Sequence, residues 1–279
     1  MSRIRETFAE LKRSGRGGFI PFITAGDPDL ATTELLLGEL AAAGADIIEL
    51  GVPFSDPVAD GEVIQRASER ALRNGVSLDD ALTCVAHAKQ QIDAPIVLFS
   101  YFNPLLKFGE DRLANEAKKA GVNAVLVTDL IPEEAQRWTE KLQQQGLDSI
   151  FLVAPTTSDE RLARIAQRAR GFIYAVSRTG VTGARNEMTR DAETLVKRVR
   201  SVSDLPVAVG FGISTAEHVR EVWRFADAAV VGSAIVREIE RLTGAADLVN
   251  RVGKFTRSLI GSKPTKPEGG ETDTRPESR

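Results

Sequence analysis

Eight short apolar runs, rich in Val and Ile, recur along the chain at 19–24, 47–50, 96–101, 124–127, 149–153, 172–176, 207–209 and 228–231. Each is apolar nearly throughout instead of alternating with polar residues, which is the pattern of a strand covered on both faces in a parallel sheet. Helical patterns lie between them, at 33–43, 78–91, 111–120, 133–145, 159–168, 192–202 and 215–223. Gly44, Gly121 and Gly146 stand just past three of these helices, where a left-handed residue ends a helix. The joints 43–46, 120–123 and 145–148 resemble one another, each leading from Gly into a strand.

Alternation of this kind leaves two architectures, an open doubly wound sheet or a (β/α)8 barrel. The 279 residues are close to the length at which such a barrel closes as one domain, and eight units use up the chain, so the barrel is expected. The segment 2–12 reads as an amphipathic helix with Ile4, Phe8 and Leu11 on one face, suited to plug the barrel bottom. Residues 262–279 contain no Val, Ile, Leu or aromatic residue but have Pro264, Pro267, Pro276 and the pair Gly269-Gly270. They read as a disordered polar tail after a barrel domain at 1–261. The long gap after the second strand, and another after the sixth, are expected to hold functional loops at the C-terminal ends of the strands.

Composition narrows the function. At 42% hydrophobic and 27% charged, the chain has ample core. Net charge −3 supplies no basic field for nucleic acid. A single cysteine, Cys84, excludes an internal disulfide framework, and two distant histidines, His87 and His218, argue against a His-rich metal site. No apolar leader opens the chain and no apolar stretch is long enough to cross a membrane, so a reducing cytoplasmic setting is expected. Cys84, Trp138 and Trp223 read as packing residues, and the series Arg161, Arg164, Arg168 and Arg170 as a solvated helix face.

The chemistry concentrates after the second strand. Glu49 interrupts the apolar run 47–50 near its C-terminal end. A carboxylate buried there has its pKa raised, the condition of a general acid or base working near neutral pH; a salt-bridged strand end is the alternative. Asp60 follows past a loop stiffened by Pro53 and Pro57, which can fold it back beside Glu49. Two carboxylates in unlike surroundings can divide acid and base duties, although Ala59-Asp60-Gly61 also suits a simple turn. Gly210-Phe211-Gly212 and Gly232-Ser233 follow the seventh and eighth strands, the slots where barrels commonly hold phosphate; turn glycines are the alternative. The segment 177–185, rich in Gly, Thr and Arg, reads either as a lid over an anionic ligand or as a passive surface loop.

At these residues the chain resembles the alpha chains of tryptophan synthase. The stretch 49–61, ELGVPFSDPVADG, matches that family's signature almost throughout; 21–28, PFITAGDP, is similar to its first-strand motif; and 177–183, 210–213 and 232–236 resemble its lid and phosphate loops. The resemblance runs in order from about residue 1 to 260. It implies a TIM-barrel lyase that reversibly cleaves indole-3-glycerol phosphate to indole and glyceraldehyde 3-phosphate. Glu49 would be the acid–base residue, and Asp60 would hold the indole N–H. Phe22, Phe99, Tyr174 and Phe211 would surround the indole, and Thr182, Gly183, Gly212, Gly232 and Ser233 would bind substrate at or near the phosphate. The resemblance implies no metal and no cofactor for this chain, since pyridoxal phosphate belongs to the partner. That partner would be a beta subunit, in an alpha2beta2 heterotetramer, met through Pro53, Asp56, Pro57, Asn103 and Pro132. A free-standing lyase, or a barrel that mainly activates its partner, are the competing functions.

Overall fold

Eight parallel strands pair in chain order and the last returns to the first, which decides for the closed barrel over the open sheet. In the computed structural model the described residues are 2–176, 185–210 and 212–261, with the side chains of 185–189 excepted. Of the expected lid at 177–185, residues 177–184, including Thr182 and Gly183, lie outside the described residues, as do Phe211 and the tail 262–279.

The strands are β1 (Gly18–Thr24), β2 (Ile48–Gly51), β3 (Ile96–Ser100), β4 (Ala124–Val127), β5 (Asp148–Val153), β6 (Ile173–Val176), β7 (Val207–Gly210) and β8 (Ala228–Val231). Around them run α1 (Arg3–Arg13), α2 (Leu30–Ala42), α3 (Glu62–Arg73), α4 (Leu78–Ala88), α5 (Phe102–Phe108), α6 (Glu110–Ala120), α7 (Gln136–Gln144), α8 (Asp159–Arg168), α9 (Arg185–Arg200), α10 (Ala216–Val222), α11 (Ser233–Leu242) and α12 (Leu248–Ile260). The gap after β2 is therefore not only loop. It holds α3, which sequence reading passes over because its buried positions are the small residues Ala67, Ser68 and Ala71 on an otherwise charged helix.

Two apolar layers follow from the period-two geometry of the strands. Ile20, Ile47, Val97, Ala124, Leu126, Ile150, Phe172, Ala208, Ala228 and Val230 fill the barrel interior together with Ile4, Phe8 and Leu11 of α1. Their sequence neighbours, such as Phe19, Ile48, Leu98, Val125 and Val209, pack outward under the helices. The N-terminal helix is thus the expected floor plug, with the Phe8 and Phe172 rings 5.6 Å apart.

The repeated joints have a physical reason. Gly44, Gly121 and Gly146 have φ of 104°, 91° and 71°, in the left-handed region that lets the helix end and the chain turn into the next strand. The residue two positions after the first two of them then serves a neighbouring strand at the floor. Asp46 accepts a hydrogen bond from the Phe19 amide (2.8 Å), and Asn123 from the Ile96 amide (2.9 Å).

Candidate active site

Glu49 sits on β2 beside Phe22 of β1 and Val97 of β3 in register. Its parity is that of Ile47, an interior residue, and opposite to Ile48 and Leu50, so it faces into the barrel. The carboxyl is fully buried, and neither oxygen has a hydrogen-bond partner among the described residues. With no cation or donor among the described residues to favour the charge, burial pushes its pKa up to about 8. Among the described residues Glu49 has no ion-pair partner, which speaks against the salt-bridged alternative.

Asp60 reaches the same mouth from the loop between β2 and α3. The loop is held by its own backbone, with the Asp60 amide donating to the Pro57 carbonyl (3.0 Å), and by Gln65, whose Nε2 donates to the Asp60 carbonyl (2.9 Å). Burial raises the Asp60 carboxyl to about 6, and a hydrogen bond from the Tyr101 hydroxyl opposes that rise. Tyr101 is the residue that sequence reading misses. It follows β3, stacks at a tilt on Phe54 (centroids 5.0 Å apart), and its hydroxyl accepts from the Ala59 amide (2.9 Å). One side chain thus grips the loop at 54, 59 and 60. The available signal is a hydroxyl-bearing aromatic at the C-terminal end of an apolar run.

Tyr174 lies near enough to both carboxyls to feel their charges. Its hydroxyl is pushed well above the ordinary tyrosine range, first by burial, then by the nearby charges of Glu49 and Asp60. It lies directly against Gly210, where a Cβ would overlap its oxygen, so glycine at the end of β7 makes room for this ring. Phe22 and Phe99 meet edge to face at 5.2 Å. The arrangement brings Phe22, Glu49, Phe99, Asp60 and Tyr174 together as an aromatic mouth with two carboxyls.

The phosphate candidates lie beside it. Gly232 faces Phe22, and α11 begins at the exposed Ser233 with no side-chain cap on its first amides. Such a helix start favours an anion. Gly212 is exposed, with φ of 67°. Of the expected interface residues, Asp56 and Asn103 are exposed and Pro57 is partly so, whereas Pro53 and Pro132 are buried within this chain. Exposed apolar side chains occur beside them: Val58 at 88%, Leu106 at 52% and Ile131 at 39%.

Elsewhere the bland readings hold. Cys84, Trp138 and Trp223 are buried, Trp223 donating to the Gly18 carbonyl (2.7 Å), and Arg161 and Arg164 pair with Glu133 on the surface. Among the described residues no cluster of His, Cys, Asp and Glu is placed to hold a metal, and no helix is long and apolar enough to cross a membrane.

Residues 8–260 match the family model described as the tryptophan synthase alpha chain. The chain belongs to the tryptophan synthase alpha chain family. Members of that family are lyases that cleave indole-3-glycerol phosphate. The tryptophan synthase alpha chain of Citrifermentans bemidjiense is 50% identical over 259 residues, covering 93% of this chain and 97% of its own. That of Roseiflexus castenholzii is 49% identical, covering 94% and 100%. Among solved structures, the tryptophan synthase alpha subunit of Legionella pneumophila superposes with a TM-score of 0.86 at 38% identity, covering 93% of this chain and 97% of its own. A chain of M. tuberculosis tryptophan synthase in its aminoacrylate-bound form gives 0.84 at 37%, covering 93% and 98%. The match spans nearly the whole of each of these relatives.

Proposed function

We propose that Glu49 and Asp60 carry out the cleavage of indole-3-glycerol phosphate in this chain with divided roles. The observation that carries this reading is the contrast in their surroundings: Glu49 is fully buried with no hydrogen-bond partner among the described residues, whereas Asp60 is less buried and bonded to Tyr101, which sets them at about 8 and about 6. At pH 7 Glu49 holds a proton and Asp60 has lost its own, so a proton donor and a fixed negative charge face one mouth.

Protonated Glu49 delivers its proton to indole C3, and the ring nitrogen takes up positive charge. Ionised Asp60 holds the indole N–H and stabilises that cation. The Glu49 carboxylate then takes the proton of the hydroxyl on the carbon attached to C3. The carbon–carbon bond breaks, its electrons return to the ring, and the oxygen keeps its carbon as an aldehyde. Indole and glyceraldehyde 3-phosphate leave, and Glu49 is protonated again as at the start. Phe22, Phe99 and Tyr174 enclose the indole, and the start of α11 with Gly232 and Ser233 holds the phosphate.

The same mouth docks a beta subunit. Exposed Val58, Leu106 and Ile131, beside Asp56, Pro57 and Asn103, support an apolar contact with a polar rim. A partner seated there would press the loop that bears Asp60 and exclude water. Single-turnover indole release from indole-3-glycerol phosphate, with and without a beta subunit, tests both parts. Asp60→Asn is expected to slow release about 10²-fold, and Val58→Asp to weaken association. Wild-type release by Asp60→Asn removes the electrostatic role; brisk release with no association makes the chain a free-standing lyase.

A further inference from the structure

Helix α3 begins directly after Asp60 and Gly61, and its far end is bolted to two other parts of the mouth. Arg70 is the bolt. Its Nε and Nη2 donate to the two oxygens of Asp27 at 2.7 and 2.9 Å, and its Nη1 donates to Glu240 at 2.7 Å. Asp27 is 1% exposed and belongs to the loop after β1, the strand that carries Phe22. Glu240 lies on α11, whose first turn follows Gly232, and Arg66 also holds it, through two bonds of 2.8 and 2.9 Å. Asn74 Nδ2 donates to the Pro28 carbonyl (2.7 Å), adding a second tie between the end of α3 and the β1 loop. Along its length α3 packs Ile64 and Ala67 against Phe22 and Val236.

We infer that Arg70 is a positioning residue for the lyase reaction, holding α3 so that Asp60 keeps a fixed place relative to Glu49 and to the start of α11. The inference rests on the reading of Asp60 above. A forked guanidinium shared by two carboxylates on separate elements fixes orientation in a way that a single bond cannot. About 12 Å of helix separates Arg70 from the first turn of α3, so a small tilt at the bolt is carried to Asp60. Misplacement of a reacting group by about 1 Å costs about 10²-fold in rate. Among the described residues the hydrogen bonds and ion pairs of Arg70 go to Asp27 and Glu240 and not to Asp60 or Glu49, so its effect on Asp60 passes through α3.

The test is a double-mutant cycle on the full chain, read by single-turnover indole release, with thermal unfolding as the check on folding. Arg70→Leu is expected to slow release about 10- to 10²-fold with little change in KM, and Arg70→Lys to recover part of the loss. Arg70→Leu/Asp60→Asn is expected to be no slower than Asp60→Asn alone, because the Arg70 contribution acts through Asp60. A purely structural role would lower the two rates independently, so losses that multiply in the double variant overturn the inference, as does an Arg70→Leu rate within about twofold of wild type. Wild-type release by Asp60→Asn overturns the reading of Asp60 itself and this inference with it. If Arg70→Leu does not fold, Asp27→Asn, which keeps size and one acceptor, enters the same cycle with the same criteria.

Discussion

At the floor of the barrel polar side chains are paired with strand amides, and at the mouth two buried ones have no hydrogen-bond partner among the described residues. Asp46, Asn123 and Asp227 each accept a strand amide, from Phe19, Ile96 and Val207, and Asp227 also meets Arg200. Between them α1 seals the interior with Ile4, Phe8 and Leu11. At the opposite end Glu49 and the Thr24 hydroxyl are buried with no hydrogen-bond partner among the described residues. Val58 stands in solvent there, and Tyr174 lies hard against Gly210. The same strands therefore serve two ends. One lowers the free energy of the fold, and the other holds groups at a cost that only a reaction or a partner makes useful.

Exchanging a single carboxyl at the mouth should divide rate from stability most sharply. Glu49→Gln is expected to lower indole release by at least about 10²- to 10⁴-fold and to make the protein more stable. The Glu49 pKa is raised from 4.5 to about 8 on folding. Its favourable protonated state is thus fully present below about pH 4.5 and lost as pH climbs toward about 8, by at most about 1.4 kcal/mol per pH unit. The stability gap between Glu49→Gln and wild type should widen over that window and level off above it. Thermal unfolding from pH 5 to 9 measures it, and a flat gap would mean that Glu49 is not the buried acid described.

The reverse experiment strikes the floor. Phe8→Ala empties the seat beside Phe172 and is expected to cost about 3–5 kcal/mol of stability, while indole release per folded molecule stays near wild type. Loss of rate in molecules shown to be folded would erase the division between floor and mouth.

Tyr101→Phe tests a finer point at the mouth. It removes one hydrogen bond to Asp60 and the acceptor for Ala59, at about 0.5–1.5 kcal/mol each, so release should slow by up to about tenfold. The lost bond favours ionised Asp60, so its pKa should rise above about 6 and the acid limb of the pH–rate profile should move upward. An unmoved limb would detach Tyr101 from Asp60. The smallest effect is expected from Asp46→Asn, which keeps an acceptor for the Phe19 amide and gives up a 3.7 Å contact with Arg16. It should cost less than about 1 kcal/mol and leave the rate unchanged, as unfolding and indole release together would show.

The barrel, its floor plug and the left-handed glycines were readable in the amino-acid order, because each is written in neighbouring residues, as was the buried place of Glu49; Asp60, which local residues also suit to a simple turn, is singled out by the family resemblance. Apolar runs at 96–101 and 207–209 declare strands buried on both faces, Gly121 after Ala120 ends a helix, and a lone Glu among Ile48 and Leu50 stands out against its own strand. What only the folded chain decided are the partnerships across distance. Tyr101 meets Asp60, Arg70 meets Asp27 and Glu240, and Gly210 yields space to Tyr174. Nothing local marks Arg70 among the other arginines of α3. It acquires its place when three separate elements converge, leaving Asp27 1% exposed with a guanidinium against it. Folding likewise buries Pro53 and Pro132, leaves Val58 exposed, and removes water from Glu49 with no hydrogen-bond partner for it among the described residues. A carboxyl's pKa depends on what surrounds it in space, so the values near 8 and 6 belong to the tertiary structure, while the choice of those two residues belongs to the sequence.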